Sequence, residues 1–120
     1  MDKDEMKGRT KRFALSAIKL IESLPRTQTG HVIGRQLLRS ATSVGANYRS
    51  ACLARSRADF ISELGIVAEE ADESQYWMEL LVESNSVTGT SVAELMGEAK
   101  QITSIVIAAR KTARSSNSKS

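Results

Sequence analysis

Three arginines of the second predicted helix are the residues of this 120-residue sequence whose type and spacing are best suited to chemistry. Arg35, Arg39 and Arg49 fall within about 80° of one another when a helix advances by about 100° per residue. They lie opposite the apolar positions of the same helix and are expected to face away from the core. Guanidinium groups on such a face can contact the phosphates of a nucleic acid. These three residues, called the arginine face below, are therefore candidate contacts to the backbone of RNA or DNA.

The order of the charges along the chain leaves a second interpretation of these arginines open. The net charge is only +3, yet residues 26–58 carry six arginines and no acid, and residues 59–98 carry ten acids and no Lys or Arg. A basic and an acidic helix packed side by side would complement each other and fix the pairing of the hairpin. The charges would then serve packing and assembly alone. A rival basic patch on the first predicted helix consists of Lys3, Lys7 and Lys11.

Residues that carry catalysis or bind metals are scarce in this sequence. His31 is the only histidine and Cys52 the only cysteine, so neither a Cys-x-x-Cys nor a His-x-x-x-His pattern occurs. The serines have no nucleophile elbow and no second histidine as a base. The acids within residues 69–73 are too close in sequence to converge on a cation from one helix. We therefore expect no enzyme, no catalytic residue, no metal, no cofactor and no small-molecule substrate.

Two polar residues border the apolar stripe of the second helix. Ser40 and Asn47 are seven residues apart and therefore share a face. Buried hydroxyls and amides are retained where they are hydrogen-bonded, so we expect a polar network that fixes the register of the helices. In the alternative, Asn47 contacts a ligand, but no other feature of the sequence supports that role.

Helical periodicity divides the chain into four amphipathic segments. The first three are expected at about residues 4–23, 30–54 and 57–84, and the fourth begins at residue 91. The expected N-caps of the last three helices are Thr29, Ser56 and Ser91. Gly34 and Gly45 predict close approach of a neighbouring backbone to the second helix. Because short connections make consecutive helices antiparallel, the fold class is all-α, an up-down-up-down four-helix bundle. One domain should cover residues 1–114, followed by a disordered polar tail at 115–120.

Apolar residues outside the core stripes predict contacts between subunits. Ile66 and Trp77 form a second apolar strip on the third helix, and Leu15 and Ile18 fall off the main stripe of the first. A second strip of this kind is typical of a subunit interface, so we expect a homo-oligomer. No apolar run approaches the roughly 18–20 residues of a membrane span, and the N-terminus lacks the pattern of a signal peptide. We therefore expect a cytoplasmic protein without membrane contact.

The segment between Leu24 and Leu81 resembles a known family. The matching residues are Leu24-Pro25, Gln36-Leu37-Leu38-Arg39-Ser40-Ala41-Thr42-Ser43-Val44, Ala46-Asn47, Arg57, Asp59-Phe60 and the acidic run 68–74 before Trp77. In this order and spacing the chain resembles the bacterial four-helix bundle proteins encoded within intervening sequences of large-subunit ribosomal RNA genes. A related group is formed by the accessory proteins of diversity-generating retroelements.

The resemblance implies a small cytosolic bundle that assembles into a homopentameric ring. The related retroelement accessory proteins are pentameric, basic and bind nucleic acid. The positions that match the shared polar residues of the family are Arg39, Ser43, Asn47 and Glu73. The predicted structural polar network thus comprises Ser40, Ser43, Asn47, Glu70 and Glu73. Where many members carry an acid after the Asn, this chain reads Tyr48-Arg49-Ser50-Ala51, so no role of that acid is transferred.

Two functional hypotheses follow from these observations. In the first, the chain is a non-enzymatic oligomeric bundle protein that binds nucleic acid through a basic surface. In the second, it is a purely structural or protein-partner scaffold that binds no nucleic acid.

Overall fold

The chain forms four α-helices that pack side by side. The computed structural model describes the backbone of residues 2–119 and the side chains of residues 2–116. The helices are α1 (Lys3–Glu22), α2 (Gln28–Cys52), α3 (Arg57–Glu83) and α4 (Gly89–Lys119). Neighbours along the chain pack together and α1 also packs against α4, whereas within the described residues no Cα atoms of the diagonal pairs α1–α3 and α2–α4 come within 8 Å of each other. The predicted all-α four-helix bundle is confirmed, and it is elongated, at 53 × 21 × 20 Å.

The starts of α2 and α3 are set by side chains that accept hydrogen bonds from the first helical turn. Ser56 caps α3 as predicted, accepting from Asp59 N at 3.1 Å. Thr27 caps α2, accepting from Gly30 N at 3.0 Å, so the prediction of Thr29 is wrong. Both threonines follow the α1–α2 turn, and the helix extends back to the earlier one because its hydroxyl already satisfies an N–H of the first turn.

Helix α4 begins earlier and ends later than predicted. Ser91 lies inside its first turn and donates its N–H to Thr88 Oγ1 at 3.2 Å, so Thr88 takes the capping role expected of Ser91. At the other end α4 continues to Lys119, where a disordered tail is expected from residue 115. No Gly or Pro follows Gly97 to end the helix. Residue 120, the last of that tail, lies outside the described residues.

The core is continuous from one end of the bundle to the other. Every helix contributes fully buried apolar side chains to it, including Phe13, Leu37, Leu64, Met78 and Ile102. Burial of each such side chain stabilises the fold by about 1.5–3 kcal/mol before the entropy cost of folding is subtracted. Within the described part of the chain, no helix is long and apolar enough to cross a membrane.

Gly34 and Gly45, two of the three glycines of α2, leave room for close neighbours. The predicted approach of a backbone is found at Gly45, where a Cβ would lie 3.5 Å from Thr10 C, whereas Gly34 faces side-chain atoms of Ile21 and Leu24. A Cβ atom on Gly34 would lie 2.9 Å from Leu24 Cδ1, and one on Gly45 would lie 3.3 Å from Thr10 Oγ1. The two contacts also define the register of the antiparallel pair, since the end of α1 meets the start of α2. The same alternation continues through α3 and α4. It places the start of α1, the α2–α3 connection and the end of α4 at one end of the bundle.

Candidate nucleic-acid interface

Arg39 is engaged by the neighbouring helix. Its Nη1 atom lies 3.1 Å from Glu70 Oε2, and its Nη2 atom forms an ion pair with Glu73 Oε1. Glu73 Oε1 also accepts a hydrogen bond from Trp77 Nε1 at 3.3 Å. Arg39 is exposed and faces away from the core, as expected, but its long side chain also reaches across to the acids of α3. At this residue the second interpretation holds, in which the basic and acidic helices pair their charges.

The other two members of the arginine face are exposed but do not converge. Arg35 and Arg49 are 14 residues apart on α2, which corresponds to about 21 Å along the helix axis. Arg35 Nη2 lies 3.0 Å from His31 Nε2, near the start of the helix. Arg49 lies in the last turn, close to the α2–α3 connection. One short ligand would therefore not contact both, and Arg49 belongs to a different neighbourhood from Arg35.

The predicted polar network divides into separate groups. Ser40 and Ser74 are both buried, and their hydroxyls meet at 2.9 Å, which joins α2 to α3 inside the core. Asn47 Nδ2 donates to Ser43 O at 2.8 Å, a contact within α2. Glu70 and Glu73 instead accept from Arg39 at the surface of the hairpin. The predicted residues thus lie near one another, but Ser74 is the member that sequence reasoning missed. A small polar residue within the apolar stripe of α3 was the available signal.

A basic cleft lies where the start of α1, the α2–α3 connection and the end of α4 come together. Its volume is about 420 Å³. Its lining residues are Lys3, Ala51, Cys52, Ala54, Arg55, Ser56, Arg57, Phe60 and Ala113. Lys3 Nζ lies 5.3 Å from the centroid of the Phe60 ring, which holds the ammonium group over the cleft. The lining therefore holds three cations and no carboxylate.

Further cations surround this end of the bundle, which we call the basic end and define by Lys3, Arg49, Arg55, Arg57 and Arg110. Arg110 Nε donates to the backbone carbonyl of Ile61 at 3.0 Å, and Gly65 leaves room for its guanidinium group. That partner is a backbone carbonyl and not a carboxylate. Asp2, Asp4 and Glu5 at the start of α1 and Asp59 in the first turn of α3 share this end, but none of them lines the cleft.

Most charged residues at the two ends of α3 have the opposite sign to the one that stabilises a helix end. Helix N-termini carry positive partial charge and favour acids, whereas C-termini favour bases. Here Arg55 and Arg57 flank the N-terminus, and the last turn carries Glu83 and no base. Only Asp59, in the first turn, follows the rule. Both the arginines and the helix dipole therefore attract anions to the basic end.

Hydrogen bonds that join Arg9 of α1 to Glu98 and Gln101 of α4, called the clasp below, were not predicted from the sequence. Arg9 donates to both Glu98 carboxylate oxygens at 2.7 and 2.8 Å, and to Gln101 Oε1 at 2.6 Å. The hydrogen bonds from Arg9 hold the pKa of Glu98 below its usual value. Glu98 and Gln101 also line a groove of about 710 Å³ between α1 and α4, the most weakly packed pair of neighbouring helices. Its partners lie 89 residues apart in sequence, and no local pattern predicts such a pair.

The predicted interface residues divide between two faces. Leu15 is 55% exposed and Ile18 half-buried on α1, while Ile66 is 41% exposed and Trp77 half-buried on α3. The backbones of α1 and α3 do not approach each other closely, so these are two separate apolar patches. Among the residues that the structure describes, no group of His, Cys, Asp and Glu side chains could hold a metal ion.

The bundle and its surfaces define a class of small helical-bundle proteins, and comparison with known proteins identifies the family. The model of the 23S rRNA-intervening sequence protein family matches residues 3–108. The chain therefore belongs to this family. A solved structure from Bacteroides thetaiotaomicron, a protein of unknown function from the S23 ribosomal protein family, is 36% identical with a TM-score of 0.85. The alignment covers 92% of this chain and 99% of that one. No functionally curated protein matches the chain.

Proposed function

We propose that this chain is a non-enzymatic, oligomeric bundle protein that binds the backbone of RNA or DNA through its basic end. The observation that carries the proposal is the placement of Arg55 and Arg57 at the N-terminus of α3, beside Lys3 and in a cleft without a carboxylate. Like charges at a helix end that already carries positive potential weaken the fold. Residues that break a local rule in this way are characteristic of functional sites.

Binding at the basic end should depend on phosphates rather than on base sequence. Base readout in single strands relies on exposed aromatic rings, and the basic end offers none within the described residues. Phe60 is half-buried beneath Lys3. Tyr48 is buried, and this burial raises its pKa to about 12. The expected ligand is therefore any polyanion with phosphate spacing, bound in a salt-sensitive manner.

A titration of fluorescent RNA and DNA of mixed sequence tests this function. Fluorescence anisotropy should show binding of both at low salt, with affinities that differ little between unrelated sequences and fall steeply as salt rises. The absence of binding to either polymer, even at low salt, would leave the scaffold hypothesis as the better account. That hypothesis is favoured by the pairing of Arg39 with Glu70 and Glu73, which uses charge for packing alone.

The two apolar patches support assembly into a closed ring. A contact between the Leu15/Ile18 patch of one copy and the Ile66/Trp77 patch of the next joins two different surfaces, head to tail. Head-to-tail contacts generate rings when the rotation closes. A ring of five, as the family resemblance implies, would present five copies of the basic end. Their summed field would exceed that of one subunit, and this strengthens binding to a polyanion.

Light scattering tests the assembly independently of nucleic acid. We expect a mass of five subunits, and Leu15→Ser together with Ile66→Ser should shift the protein toward the monomer. Ile107→Ser is the matched control, since Ile107 is 53% exposed on α4 and belongs to neither patch. A monomeric wild-type protein at micromolar concentration contradicts the assembly proposal.

A further inference from the structure

The cleft of the basic end has the features of a binding site for one strongly charged group rather than for the phosphodiester backbone of a nucleic acid. Lys3, Arg55 and Arg57 line it together, and no acid of the described chain does. Apolar residues line it as well, namely Ala51, Ala54, Phe60 and Ala113. A cleft of about 420 Å³ is within the range of small-ligand sites. A lining that combines cations with apolar groups suits a ligand that has a charged group attached to an organic moiety.

We propose that this cleft binds a phosphomonoester, the group found at the end of a nucleic acid strand or on a nucleoside monophosphate. The inference rests on the proposed function, because it assigns one part of the basic end to a strand terminus. It adds a preference for strand ends that carry a terminal phosphate, which binding of the backbone alone would not produce.

Charge matching distinguishes a monoester from the diesters of a backbone. A phosphodiester carries one negative charge, whereas a phosphomonoester carries about −1.5 to −2 at pH 7 and offers three acceptor oxygens. Three cations around one cleft far exceed the single negative charge of a diester and come closer to the charge of a monoester. Arginine guanidinium groups also bind phosphate oxygens in pairs, which favours a terminal group with several free oxygens. Lys3, held over Phe60, supplies the remaining charge from α1.

Cys52 provides a reporter within the cleft itself. It is the only cysteine of the chain, it is half-buried, and it lines the cleft beside Arg55 and Arg57. A ligand seated there covers the thiol and slows its reaction with a maleimide or an aromatic disulfide. The rate of modification therefore reports occupancy of this cleft and of no other surface.

The test compares oligonucleotides of one sequence with and without a terminal phosphate, and includes a nucleoside 5′-monophosphate alone. We expect the phosphorylated strand to bind about tenfold more tightly than the unphosphorylated one. We also expect both phosphorylated ligands to slow the labelling of Cys52. Arg57→Gln should remove the preference, whereas Lys19→Gln, an exposed cation of the last turn of α1, should retain it. Circular dichroism checks that the variants keep the helical bundle.

The outcomes separate this inference from the proposed function. Equal affinity for both strands together with an unchanged rate of Cys52 labelling overturns the inference while leaving backbone binding intact. A preference that persists in Arg57→Gln and in Arg55→Gln also overturns it, because the phosphate then binds elsewhere. If the monophosphate protects Cys52 but neither strand binds, the cleft stands as a nucleotide site and the proposed function fails.

Discussion

Helix α3 begins among arginines and ends among glutamates. Arg55 and Arg57 flank its first turn, while Glu79 and Glu83 lie in its last two turns, with Glu94 beyond the following connection. The same helix thus carries both signs of the segmented charge, one at each end of the bundle. The helix dipole is positive at the end that carries the arginines and negative at the end that carries the glutamates. The arginines and the glutamates are therefore not stabilised by the dipole.

The contrast between the middle of the hairpin and the basic end shows which charges packing explains. Arg39, in the middle of α2, is paired across the hairpin with Glu70 and Glu73. The arginines of the α2–α3 connection line a cleft that holds no acid. Pairing between helices explains the position of Arg39, whereas binding of a ligand is the better explanation for Arg55 and Arg57. The basic end is therefore where binding should be sought, and the predictions below compare it with the opposite end.

The largest expected effect is the loss of nucleic-acid binding on charge reversal at the basic end. Arg55→Glu with Arg57→Glu should weaken binding at low salt about 100-fold, because two contacts are removed and two repulsions added. Lys19→Glu with Arg26→Glu makes the same change of charge at the opposite end and should change affinity by less than about threefold. Arg39→Gln should behave like this control, since its charge is already paired. Equal losses of affinity in Arg55→Glu with Arg57→Glu and in Lys19→Glu with Arg26→Glu would mean that binding depends only on the net charge of the protein.

An intermediate effect, on stability, is expected from a substitution in the clasp between Arg9 and Glu98, which lies at neither end of the bundle. Glu98→Gln should lower the free energy of unfolding at pH 7 by about 1 kcal/mol, because Arg9 loses a charged hydrogen-bond partner. Affinity for nucleic acid should not change, which shows that lower stability alone does not reduce binding. Urea denaturation and anisotropy measure the two quantities.

The contribution of the clasp should also depend on pH in a defined direction. Arg9 lowers the pKa of Glu98 in the folded state. The stabilisation is therefore fully present above the unfolded-state pKa of about 4.3 and is lost as the pH falls through the lower folded-state pKa. The wild-type protein and Glu98→Gln should differ in stability at pH 7 and converge in acid. A difference that grows in acid would contradict this assignment.

The smallest expected effect is a gain of stability on removing the charges that oppose the dipole. Arg57→Glu and Glu83→Lys should each raise the free energy of unfolding by about 0.5 kcal/mol. The two sites are far apart, so the double variant should gain about 1 kcal/mol. Only Arg57→Glu should weaken nucleic-acid binding. A variant that is more stable but binds less would show that the arginine is kept for function, whereas destabilisation by Arg57→Glu would contradict the dipole argument.

The fold could be predicted from the sequence because its signals are local. The apolar repeat that contains Leu37 and Val44, the break at Pro25 and the cap at Ser56 each act within a few residues of the chain. The caps Thr27 and Thr88 were missed because hydroxyl residues recur within one turn, and periodicity does not choose between them.

The candidate site was predicted only in part because it depends on contacts between helices. The arginine face was defined by angle around one helix, but the reach of the Arg39 side chain to Glu70 is a property of two helices. The basic cleft joins Lys3 to Arg55 and Ala113, which are far apart in the chain. Only the packed bundle brings these residues together, so the candidate site moves from the middle of α2 to the N-terminus of α3.

The salt dependence of duplex DNA binding tests the central claim most directly, because its slope counts the phosphates that the protein contacts. The logarithm of the binding constant is plotted against that of the salt concentration for the wild-type protein, Arg55→Gln with Arg57→Gln, and Lys19→Gln with Arg26→Gln. If the basic end is the interface, its variant loses about 2 from the magnitude of the slope, and the opposite-end variant retains the wild-type slope. An unchanged slope in Arg55→Gln with Arg57→Gln would place the phosphates elsewhere and contradict the account.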